Sequence, residues 1–106
     1  MDSPLRPLRL RFGPFVLDTR RIELRRNDTL VPLRPKPFAL LVMLASHPGT
    51  VLRKEDLFAA VWPGVVVSDD SLTQTVREVR AALGDEGRTL LRTVAGLNPE
   101  WTGTIK

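Results

Sequence analysis

Residues 68–83 of this 106-residue chain read SDDSLTQTVREVRAAL, and they limit what the rest of the molecule can be. Leu72, Val76, Val79 and Leu83 recur at the spacing that gathers them on one side of an α-helix. Ser68 stands where a hydroxyl accepts from the unpaired N–H groups of a first helical turn, and Gly84 stands where helices commonly stop. A short helix with one apolar stripe is marginal alone and needs a core to lie on. Its other side carries Thr73, Gln74, Arg77, Glu78 and Ala81, with Arg80 on the flank.

That core has an obvious centre. Residues 38–45, FALLVMLA, are apolar almost all round, so a helix made of them must be enclosed by its neighbours. Pro37 is acceptable in its first turn, and His47-Pro48-Gly49 ends it. Residues 54–62 form a second helix, with Leu57, Phe58 and Val61 facing inward and Glu55 and Asp56 in the dipole-favoured first turn. Residues 50–52 read as a short strand between these two helices. Pro63-Gly64 then breaks the chain, and Val65, Val66 and Val67 lead into the third helix.

The flanks read as β-structure. Residues 1–7 hold two prolines and are expected to form a flexible tail. Residues 8–33 alternate in short runs: LRLRF, then FVLD after Gly13-Pro14, then a segment placing Ile22 and Leu24 on one face. After the Asn27-Asp28 turn signal the chain returns over residues 30–33. These runs predict a small antiparallel sheet. Residues 90–94 read as a strand, Gly96, Asn98 and Pro99 as a turn, and residues 101–105 as the returning strand of a hairpin. The expected fold is α+β: an N-terminal antiparallel sheet (8–33), a three-helix core (36–83) and a C-terminal β-hairpin (90–105), in one domain over residues 8–106.

Composition narrows the function. The chain has no cysteine and one histidine, and its acids are scattered over helix starts and loops. No nucleophile stands beside a base, no metal-ligand cluster is visible and no glycine-rich phosphate loop occurs, so neither catalysis, a metal nor a cofactor is expected. No run of about 18 apolar residues is present to span a membrane, and the first residues lack the apolar centre of a secretory signal; a cytoplasmic location is expected. Net charge is +4, which leans toward an anionic partner. Residues 1–36 hold nine Arg and Lys against four acids, whereas residues 37–106 hold seven against eight. The basic excess therefore lies outside the polar-faced third helix. His47 reads as a partner for the dipole at a helix end, and Trp62 and Trp101 read as packing anchors.

Two helices joined by a Pro-Gly turn, the second with a polar outer face, suggest a helix-turn-helix. Gln and Arg form paired hydrogen bonds with base edges, and Thr makes simpler ones. Several strings also carry a family likeness: LRPKPF (33–38), HPGTVLR (47–53), Leu57, VWPG (61–64), REVRAALGD (77–85) and RTV (92–94). Together, over about residues 10 to 95, they resemble the OmpR/PhoB-type winged helix-turn-helix domain that binds DNA in bacterial transcriptional regulation. Placement at the chain start resembles the CadC-like arrangement, where a sensor, membrane helix or repeat domain follows. The resemblance implies base contacts from Thr73, Gln74, Arg77 and Glu78, and phosphate contacts from Ser71, Thr75, Arg80 and Thr93. It also implies that the turn with Pro63, Gly64, Val65, Val66 and Val67 meets RNA polymerase.

The chain departs from the family pattern in three places. Ala95-Gly96-Leu97-Asn98-Pro99-Glu100-Trp101 replaces the usual Gly-x-Gly-Tyr-x-Phe ending of the wing, which removes a base and adds an acid. Asp69 and Asp70 open the third helix, where they suit its dipole and oppose a nearby phosphate. Arg53 stands where Ser or Thr usually caps the second helix, a change that loosens it by roughly 1 kcal/mol. The expected function is sequence-specific duplex DNA binding with the third helix in the major groove. A weakened wing would be offset by two copies on adjacent half-sites about one helical turn apart. The rival reading is a protein-interaction module, derived from a winged helix that has lost its wing contacts, docking through the third helix or the loop of Val65, Val66 and Val67, unless Val65 or Val67 closes the core. Salt separates the two, since multiple phosphate contacts weaken steeply as salt rises.

Overall fold

A computed structural model of the chain describes residues 9–84, 90–94 and 98–101. The order is β1 (Arg9–Phe12), β2 (Phe15–Asp18), β3 (Glu23–Arg26), β4 (Thr29–Val31), α1 (Pro35–Ala45), α2 (Lys54–Val61), α3 (Asp69–Leu83), β5 (Leu91–Val94) and β6 (Asn98–Trp101). The expected tail over residues 1–7 and the last part of the expected wing, residues 102–105, lie outside the described residues.

Strands β1 to β4 form an antiparallel meander in sequence order. Phe12 pairs with Phe15 around Gly13-Pro14, with Gly13 at φ 54°. Arg26 pairs with Thr29 around Asn27 and Asp28, at φ 48° and 70°. Two positive φ values in a two-residue loop match the twist of the flanking strands, and Asn and Asp are the non-glycine residues that tolerate them best. Phe12, Phe15, Leu17 and Leu24 point inward and are buried. The Phe12 and Phe15 rings lie 5.5 Å apart, and the Arg26 guanidinium sits 5.6 Å above the Phe15 ring.

One expectation about the sheet fails. Ile22 was expected beside Leu24 on the inner face, yet β3 begins only at Glu23, and Ile22 lies in the preceding turn at φ 55°, 68% exposed. Asp18 explains the early turn. Its Oδ1 accepts from the N–H groups of Arg20 and Arg21 at 2.9 and 3.1 Å, so the chain wraps around the carboxylate before it can extend. Those N–H groups, Arg21 first, hold the Asp18 carboxyl below its ordinary pKa.

Helix α1 is the central element. None of residues 37–45 is exposed, and α1 packs against α3, α2 and β6. Leu40, Leu41, Leu44 and Ala45 join the sheet leucines and phenylalanines and Leu57, Leu72, Val79 and Leu83 in one core. At its C-terminal end the His47 ring Nδ1 lies 2.9 Å from the Met43 carbonyl. Helix α2 buries Leu57 and Val61, and the Phe58 ring meets Trp62 edge-on at 6.0 Å, which places Trp62 in the core. Arg53 precedes α2 without a side-chain capping bond. Residues 50–52 build no strand ladder; Val51 makes only an isolated bridge, and Leu52 is buried.

The C-terminal hairpin is present but set differently from the expected one. Strand β6 starts at Asn98, so Asn98 and Pro99 pair with Val94 and Thr93 instead of forming the turn. Pro99 is tolerated there because a strand at the edge of a two-stranded ribbon need not donate on both sides. Among the described residues no helix is long and apolar enough to cross a membrane.

Candidate nucleic-acid interface

The sequence of α3 separates a buried side from an outer one. Leu72, Val76, Val79 and Leu83 are all buried, as their spacing predicts. The Ser68 hydroxyl accepts from the Ser71 N–H at 3.4 Å, and the Gly84 N–H bonds back to carbonyls of the last turn with φ 65°. Both ends are therefore closed, and the helix cannot slide or unwind without losing its core residues. On the outer side Asp70, Gln74, Arg77 and Ala81 are exposed, in one line along the helix. Gln74 and Arg77 make no side-chain hydrogen bond or ion pair among the described residues. They present the longest free donors and acceptors of the helix to solvent.

Cations from other elements border this line. Arg34, the residue before α1, reaches across to α3 and donates from Nη2 to Glu78 Oε1. Lys36 donates to the Val61 carbonyl at 2.9 Å, tying the start of α1 to the end of α2. Lys54 at the start of α2 bonds Asp69 at the start of α3 at 3.3 Å. These bonds link the start of α1 to α2, the start of α2 to that of α3, and the residue before α1 to α3. Arg34, Lys36, Trp62, Asp70, Ser71, Gln74 and Thr75 line one shallow groove beside the outer face.

The residues singled out from sequence fall into three groups. Gln74 and Arg77 stand on the outer line; Thr73 is half-buried beside it, its hydroxyl donating to the Asp69 carbonyl at 3.1 Å. Ser71 is half-buried on the Arg34 flank, and Arg80 lies on the other flank with Nη2 3.5 Å from the Leu91 carbonyl. Thr93 stands in β5 opposite Pro99. Two residues are placed less openly than the pattern suggests. Thr75 is only 6% exposed and its hydroxyl donates to the Ser71 carbonyl at 2.7 Å, so that donor is spent on its own helix. Glu78 is paired through Oε1, while its Oε2 is shielded from solvent without a hydrogen-bond partner among the described residues. The sequence reading missed the bordering roles of Arg34, Lys36 and Lys54. For Arg34 and Lys36 the one available signal was the basic excess before residue 37, which does not say where those cations point; Lys54 carried no such signal. Val65 and Val66 in the α2–α3 turn are 57% and 100% exposed, and Val67 is half-buried against the core. Among the described residues no group of His, Asp and Glu is gathered as metal ligands would be.

Comparison with known proteins agrees with this arrangement. Residues 27–97 match the family model described as "Transcriptional regulatory protein, C terminal". The chain is 32% identical over 76 residues to the transcriptional activator CadC of Escherichia coli, covering 72% of this chain and 15% of that protein. It is 32% identical over 89 residues to the transcriptional regulatory protein AfsQ1 of Streptomyces coelicolor, covering 81% of this chain and 40% of that protein. The chain thus spans less than half the length of either relative. Among solved structures, the DNA-binding domain of E. coli CadC superimposes with a TM-score of 0.82 at 25% identity, covering 95% of this chain and 96% of that one. The RstA DNA-binding domain of Klebsiella pneumoniae, solved in complex with the RstA box, gives 0.76 at 21%, covering 89% and 96%, and shares the fold. With the sheet, three helices and hairpin in this order, and with the family model spanning most of the chain, the protein belongs to the family of OmpR/PhoB-type winged helix-turn-helix domains of transcriptional regulators.

Proposed function

We propose that this domain binds duplex DNA sequence-specifically in transcriptional regulation, with α3 in the major groove. The observation that carries the reading is the outer line of α3, where Gln74 and Arg77 stand exposed, and unengaged among the described residues, on a helix whose opposite stripe is buried in the core. Gln pairs with adenine and Arg with guanine through two hydrogen bonds each, and Thr73 adds a methyl and a hydroxyl acceptor beside them. Ser71, Arg80 and Thr93 serve as backbone contacts that set register without reading sequence. The relative CadC is named an activator and its matching domain a DNA-binding domain, which supports carrying the activity to this chain. A second copy on an adjacent half-site supplies the affinity that one small domain lacks.

Selection from a randomised duplex library, followed by fluorescence anisotropy across a salt series, tests the reading. An enriched motif and a steep salt dependence are expected, since each neutralised phosphate adds about −0.9 to the slope of log affinity against log salt. Binding that is flat in sequence and in salt would overturn it. A second contact is supported by Val65 and Val66, which project from the α2–α3 turn away from the core and suit a protein surface such as RNA polymerase. If DNA binding fails while this turn still docks a protein, the domain is an interaction module.

A further inference from the structure

We propose that Arg34 is a DNA-phosphate contact beside the groove entered by α3, and that Glu78 holds and tempers its guanidinium instead of reading a base. The proposal rests on the reading of α3 as a duplex-binding helix. Arg34 leaves the chain just before α1 and ends against the middle of α3, where Nη2 donates to Glu78 Oε1. Its side chain nevertheless stays 75% exposed, against 36% for Glu78. A guanidinium carries five N–H donors in a planar fork. The Arg34 guanidinium makes no other bond among the described residues, so most of the fork faces outward.

Position decides what such a group would meet. Arg34 lines the groove shared with Ser71 and Gln74 and also the next one, shared with Glu78 and Ala81. It therefore runs along one flank of the outer line of α3, while Arg80 occupies the other flank, toward β5. A helix with its side chains is roughly 10–12 Å across, and the major groove is about 12 Å wide. A helix seated in that groove brings its outer line to the bases and its two flanks to the phosphate walls. Arg34 is placed for one wall and Arg80 for the other.

Glu78 fits a different task from base reading. One of its oxygens is taken by Arg34, and the other is shielded from solvent, so neither is open to accept from a cytosine amino group. Its charge still faces any phosphate that Arg34 approaches. It fixes where the guanidinium points and lowers backbone attraction on every sequence alike.

The test compares wild type, Arg34→Ala and Glu78→Gln on the duplex selected by the wild type and on a random duplex, across a salt series. Arg34→Ala is expected to weaken both duplexes by the same several-fold factor and to make the salt slope shallower by about one. Glu78→Gln keeps an acceptor for Arg34 and loses the charge, so both duplexes should bind more tightly by a common factor, with the same selected motif. Unchanged binding in either variant, or a loss confined to one base position, would overturn the proposal. Wild-type binding without salt dependence would instead overturn the reading beneath it, and that is visible before any variant is made.

Discussion

Arg77→Ala separates folding from reading on α3. Arg77 is exposed and makes no side-chain bond among the described residues, so its removal leaves no partner stranded. Ala is at least as good a helix former as Arg. The expected cost in stability is within about 0.5 kcal/mol, or at most about 4 °C in Tm for a domain near this size. A two-pronged contact from Arg to guanine is worth about 1–3 kcal/mol, which is roughly a 5- to 160-fold loss of affinity for the selected duplex. The loss should appear as a relaxed preference at one base position when the selection is repeated with the variant. Thermal melting followed by circular dichroism, beside anisotropy on single-position variants of the duplex, reads both quantities. A loss equal on all sequences would demote Arg77 to a phosphate contact. No loss would remove it from the interface and with it the groove orientation assumed for α3.

The buried Thr75 hydroxyl predicts that Thr75→Val leaves affinity and salt slope unchanged in the same titration, because that donor already serves the Ser71 carbonyl; a slope made shallower would restore Thr75 as a phosphate contact. Ser68→Ala removes the side-chain cap of α3; chemical denaturation should show a loss of about 1 kcal/mol. Asp18 is held below its ordinary pKa, first by the Arg21 N–H and then by that of Arg20. Its folded value lies beneath its unfolded one, so its contribution is present above the unfolded value and lost as pH falls through the folded one. Melting curves of wild type and Asp18→Asn should therefore differ at neutral pH and converge in acid.

What was legible in the sequence follows from how local each cause is. Helix α3 could be read to its ends because its stripe, its Ser68 cap and its Gly84 stop are all written within one segment. Helix α1 was legible for a similar reason, since an all-round apolar run has only one place to go. The misreadings arose where a side chain changed the path of its own backbone or a partner came from far along the chain. Asp18 turned the chain early and took Ile22 out of β3. Asn98 and Pro99 look like turn residues, yet cross-strand pairing with β5 recruits them into β6. The outer line of α3 was visible as periodicity. The state of Glu78 was not, because its partner Arg34 lies 44 positions earlier.

Charge shows the same limit with a functional consequence. Taken as a segment, α3 is a poor match for DNA: Asp69, Asp70 and Glu78 stand against Arg77 and Arg80. The fold brings Lys54 to Asp69 and Arg34 to Glu78, both from outside the helix. Two of the three acids thereby acquire a cation at their side, and the balance along the outer face turns from negative to positive. Exposed pairs of this kind add little to stability, typically under about 1 kcal/mol. Their effect is on the field that an approaching duplex meets, which acts on the rate and salt dependence of binding. The basic excess before residue 37 is thus not remote from the reading helix in space, since Arg34 delivers part of it to the flank of that helix. Asp70 remains the one acid of the three without an ion-pair partner among the described residues. It sits in the first turn, where the helix dipole favours it and a phosphate would not. On the proposed seating, Arg34 and Arg80 meet the two phosphate walls from opposite flanks of α3, and the charge of Asp70 lowers the attraction at the N-terminal turn, where Ser71 offers an uncharged contact.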